Sequence, residues 1–69
     1  MKLINGKNYD TLYGRMTYGG IVENVGFNCA VCHKERWNTH EFYKGSAINP
    51  SEVWHLGSEC VKKFLGVTL

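Results

Sequence analysis

The sequence predicts a small β-rich α+β domain with a metal knuckle, a β-hairpin and one short C-terminal helix. Three observations point there. Eight glycines and one proline in 69 residues favour turns and short strands over long helices. A chain of this length buries only roughly 60% of the surface that its unfolded form exposes, so its core needs a staple. Three cysteines and three histidines supply the candidate staple. Hydrophobic residues at 43% and charged residues at 20% mark a folding sequence rather than a disordered one. Residues 1–69 are expected to form one domain, with a hairpin or meander over 1–26 and a metal module over 27–66.

The first turn signal is Asn5-Gly6. Asn-Gly suits a type I′ turn, whose two central residues need positive φ, so residues 2–4 and 7–9 are expected to pair as a small hairpin. Over residues 10–20, Leu12, Tyr13, Met16 and Tyr18 are interrupted by Gly14, Gly19 and Gly20. No helical stripe survives there, and a loose strand or loop is expected. Ile21, Val22, Val25 and Phe27 lead into the first cysteine as a strand broken near Asn24 or Gly26.

Residues 36–44, with Trp37, Phe42 and Tyr43 among polar neighbours, read as a strand. Gly45 to Ser51 reads as a turn, and Glu52 to Leu56 as the returning strand, with His40 placed opposite His55. Ser58 is a suitable N-cap for a helix of about two turns, with Glu59 at its start and Lys62 and Lys63 towards its end. Val61, Phe64 and Leu65 fall on one face, and Gly66 suits the C-cap.

Cys29-Ala30-Val31-Cys32 is a C-x-x-C whose two thiolates can face one ion. Cys60, in the first turn of the helix, is the third candidate, and the helix dipole is expected to favour its thiolate. An odd cysteine count argues against a closed disulfide framework. Three thiolates leave a tetrahedral site one ligand short, and spacing alone leaves His40 and His55 both open. A thioredoxin-like redox role lacks its βαβ context. Cys29-Ala30-Val31-Cys32-His33 also matches the c-type haem attachment motif, with His33 and Met16 as axial candidates. That reading leaves Cys60 unused and expects a helical chain, whereas this one reads as strands.

From Cys29 to Leu65 the chain resembles the small treble-clef zinc domains of bacteriophage and bacterial proteins of unassigned function. Those commonly run C-x-x-C-G, then a histidine in the first hairpin strand, then a V-G-S/T/C-x-C-x-K-like helix start. Here that start is Leu56-Gly57-Ser58-Glu59-Cys60-Val61-Lys62-Lys63. The resemblance implies zinc held by Cys29, Cys32, His40 and Cys60, with His55 as the alternative to His40. His33 stands where such domains usually have glycine.

A closed site of three cysteines and one histidine has no position for water, so it is expected to be structural and the protein not an enzyme. The net charge of +2 permits nucleic-acid contact without demanding it. Lys34, Arg36, Lys44, Lys62 and Lys63 are the nucleic-acid candidates, with Trp37, Tyr43 and Trp54 available for stacking or, in the alternative, for the core. The company of the resemblance favours a protein-binding module, a phage-type factor docking on a host enzyme. No segment reaches the 18 or so apolar residues of a membrane span, and the N-terminus has no signal region, so a cytoplasmic protein is expected.

Overall fold

The computed structural model describes residues 2–66. Its first hairpin joins β1 (Asn8–Thr11) to β2 (Gly14–Val22), with Asn8 opposite Thr17 and Thr11 opposite Gly14. Gly14, at φ +96°, makes the tight corner in a region that side chains disfavour. Thr11 completes it by donating its Oγ1 hydroxyl to the Gly14 carbonyl at 2.6 Å and accepting the Tyr13 N–H at 3.1 Å. The expected turn at Asn5-Gly6 is present, with Gly6 at φ +86°. Residues 2–4 nevertheless form no strand. The Gly6 N–H goes to the Tyr18 carbonyl instead, and the Tyr18 N–H goes to that of Lys7. The turn therefore docks onto β2, and the hairpin forms one turn later.

The segment expected to be loose is the longest strand. Met16 and Tyr18 alternate inwards with Arg15 and Thr17 outwards, a period of two that the glycines hide in the sequence. Gly19 and Gly20 mark an irregularity in the pairing of β2 with β5 (Thr39–Gly45), where Gly20 adopts φ +93°. Between these strands lies a two-stranded ribbon of β3 (Phe27–Asn28) and β4 (Glu35–Arg36), whose tip carries Cys29 to Lys34. Asn24, at φ 61°, breaks the chain where a break is expected. The expected strand over 36–44 is divided at Trp37 and Asn38.

A second hairpin pairs β5 with β6 (Pro50–Leu56), and α1 (Val61–Phe64) follows. Sheet order is β1-β2-β5-β6, all antiparallel. The core lies on one face of this sheet, under α1. Phe42 is its centre, with ring centroids 5.2 Å from Tyr18, 5.3 Å from Phe64 and 6.5 Å from Tyr9. Met16, Leu56 and Val61 belong to it, together with Cys29 and Ala30. Each such side chain contributes about 1.5–3 kcal/mol of burial. Trp54 is half-buried and packs on Tyr13, whereas Trp37 is 62% exposed and lies outside the core.

Candidate metal centre

The ribbon tip is shaped by its own backbone. The Cys29 N–H donates to the Lys34 carbonyl at 2.9 Å, and the His33 N–H returns to the Cys29 carbonyl at 2.9 Å. His33 closes the turn at φ 62°, a conformation histidine adopts more readily than most residues. This brings Cys29 and Cys32 round to the same point. The Ala30 N–H then bonds the His55 carbonyl at 2.9 Å, tying the tip to the end of β6.

Cys60 arrives from the other side. A turn after β6 is closed by its N–H donating to the Gly57 carbonyl at 2.9 Å. Cys60, not Ser58, is the N-cap residue of α1, and its side chain makes no capping hydrogen bond. The ligand atoms of Cys29, Cys32 and Cys60 lie within 4.8 Å of one another. Cys29 is fully buried, and the other two are half-buried.

The electrostatics call for a cation. Burial opposes ionisation of Cys29, but backbone N–H groups of Cys32, Gly57 and Val31, joined by the Cys60 side chain, bring its thiol down to about 6. Cys60 moves the other way, to about 11, because it is buried and because Cys29 and Cys32 crowd it. The expected dipole effect at Cys60 is thus outweighed, and a four-residue helix has little dipole to offer. The Cys29 thiolate is favoured and that of Cys60 is resisted. A soft metal cation removes that resistance, so the three cysteines can hold a metal ion.

The histidines stand elsewhere. Among the described residues, no histidine or carboxylate brings a ligand atom within 4.8 Å of all three sulfurs. His40 Nδ1 is 2.6 Å from Tyr18 Oη on the helix-covered face. His55 is stacked on Phe27, with ring centroids 3.6 Å apart, and its Nδ1 is 3.3 Å from Thr39 Oγ1. The pairing register explains the separation. His40 opposes Leu56, and His55 opposes Glu41, one residue from the expected match. A one-residue offset sends alternate side chains to opposite faces, so the two histidines cannot share a site. Burial lowers the pKa of both; for His55 the Glu41 charge works against that. His33 is exposed.

Of the residues that the haem reading uses, Met16 is packed in the core, Cys29 is fully buried and His33 is exposed. No protein-family model, curated protein or solved structure matches this chain. Its chemistry is therefore read from the site.

Of the basic candidates, Lys34, Arg36, Lys62 and Lys63 are exposed, and Lys44 is engaged by Glu52 at 3.3 Å. Sequence reasoning missed Gly57, whose N–H serves the Cys29 sulfur; a glycine ahead of a helix gives no such signal. It also missed Tyr18, whose pairing with His40 joins strands that are 22 residues apart. No helix among the described residues is long and apolar enough to cross a membrane.

Proposed function

We propose that this chain is a zinc-stabilised, treble-clef-like interaction module with no catalytic role of its own, a small phage-type factor that binds a host protein in the cytoplasm. The observation that carries the reading is the convergence of Cys29 and Cys32 from the ribbon tip with Cys60 from the start of α1. The order of ribbon, hairpin and helix is the order of a treble clef. Tetrahedral zinc with bonds of about 2.3 Å places its sulfurs about 3.8 Å apart, a spacing close to that of three sulfurs already within 4.8 Å of one another. Zinc bound there would join the ribbon to the helix and add its binding energy to folding.

An exposed apolar pair at the base of the ribbon supports a protein partner. The Val25 N–H donates to the Trp37 carbonyl at 3.2 Å, which places these two exposed apolar residues side by side, next to Arg36. Tryptophan and arginine are the residue types that dominate interface energetics. A second reading, nucleic-acid contact, rests on exposed Lys34 and Arg36, which precede the same tryptophan in the chain.

Native mass spectrometry of the purified chain tests the metal: one zinc per chain is expected, and a folded protein carrying no metal refutes it. Cys29→Ser, Cys32→Ser and Cys60→Ser should each abolish retention. Capture from host lysate, with and without nuclease, separates the partner classes. Nuclease-resistant, salt-insensitive capture that Trp37→Ala abolishes supports the protein partner. Affinity that falls steeply with salt supports nucleic acid.

A further inference from the structure

Three sulfurs account for three of the four donors that a closed tetrahedral centre takes from its protein. His40 and His55 are engaged on opposite faces of the sheet, and His33 is exposed. Met1, Val67, Thr68 and Leu69, the residues outside the described range, include no cysteine, histidine or acidic side chain.

Cys60 lines a small cleft of about 120 Å³ together with Arg36, Asn38, Gly57, Ser58 and Glu59. At about 30 Å³ per water, that space takes a few waters or one small molecule. Arg36 forms no ion pair among the described residues. Its side chain runs along Gly57, with Cγ 3.4 Å from where a Cβ on that glycine would stand. Gly57 is also the residue whose N–H serves the Cys29 sulfur. Arg36 therefore sits beside a cluster that carries a net negative charge when three thiolates surround a divalent cation. An added anionic donor is disfavoured by that charge and favoured by the guanidinium.

We propose that the metal centre takes its fourth donor from outside the chain through this cleft, and that the donor is a small thiol bearing an acid group. Its sulfur matches the soft donor set, and its carboxylate faces Arg36. The proposal rests on the reading of the three cysteines as a metal centre, and its test separates the two.

The full chain is loaded with Co(II) and titrated with mercaptoacetate or with mercaptoethanol, following the sulfur-to-cobalt charge-transfer band. The band should rise by about a third as the sulfur count goes from three to four. Mercaptoacetate should saturate at about fivefold lower concentration than mercaptoethanol, and Arg36→Gln should erase that preference while keeping the band. A band that neither thiol alters overturns the open position. So does a visible spectrum that changes on His33→Ala, His40→Ala, His55→Ala or Glu59→Gln, since the fourth donor then belongs to the chain. A preference that survives Arg36→Gln overturns the role of the cleft. Absence of any charge-transfer band overturns the metal centre itself, a result distinct from the others.

Discussion

Phe64→Ala measures how stability divides between the aromatic core and the metal. Phe64 is fully buried at the end of α1, with ring centroids 5.3 Å from Phe42 and 5.5 Å from Tyr13. Truncating a buried phenylalanine costs about 3–5 kcal/mol. Two lost aromatic pairs put this site towards the upper end of that range, at about 4–5 kcal/mol. A 69-residue chain has about 3–10 kcal/mol in total, at about 0.05–0.15 kcal/mol per residue. A small chain without its staple falls at the low end of that range, so the variant should be largely unfolded in the presence of a chelator. Free zinc at a thousandfold excess over its dissociation constant adds about 4 kcal/mol, enough to restore the fold. Urea titrations at 25 °C followed by circular dichroism, with chelator and with zinc, read all four states. A Phe64→Ala loss below about 1 kcal/mol refutes the packing argument. A midpoint that zinc shifts in neither protein refutes the coupling of metal to fold.

Removing His40 leaves Tyr18 Oη without its partner, so His40→Ala should cost about 1–2 kcal/mol in urea titration while leaving zinc stoichiometry at one in native mass spectra. Metal-free stability should depend on pH in two opposite ways. The folded pKa of Cys29, about 6, lies below its ordinary value of 9.0, so its contribution is complete above pH 9 and is lost as pH falls towards 6. Cys60, raised to about 11, contributes below pH 9 and loses that contribution as pH rises towards 11. Urea midpoints in chelator and reductant should accordingly peak near pH 9, and a monotonic profile rejects the assignment. Gly45→Ala should cost about 1–2 kcal/mol, read as a lower thermal midpoint, because φ +89° is left-handed and the new Cβ would meet the Ser51 nitrogen at 3.2 Å.

Local chemistry was legible where a residue's own conformation decides the outcome. Asn24 breaks its strand, Gly66 ends the helix at φ 69° and the C-x-x-C forms a tip, all from short-range cues. Pairing was not legible, because a β-bulge shifts register without a distinct sequence signal. The β5–β6 turn at residues 46–49 starts in the expected register, with Gly45 opposite Pro50, and an irregularity between Gly45 and Lys44 then shifts the pairing by one residue, so that Leu56, not His55, lies opposite His40. That single step puts the two histidines on opposite faces of the sheet. The N-terminal strands were obscured by Gly14, Gly19 and Gly20, which read as breakers but serve as a corner and a pairing irregularity.

The position of the three sulfurs explains why a metal suits this fold better than a larger core would. The aromatic cluster packs under one face of the four-stranded sheet, and the ribbon joins it at the tip, where Cys29 and Ala30 are buried, and through the Ala30–His55 hydrogen bond and the Phe27–His55 stack. With two residues in each of its strands, the ribbon cannot bury enough apolar surface to order itself. A metal held by Cys29, Cys32 and Cys60 joins the ribbon to the chain on the far side of the β5–β6 hairpin. By analogy with a disulfide closing a loop of about 28 residues, such a link disfavours the unfolded chain by about 3.5 kcal/mol. That is comparable to burying one or two further core side chains.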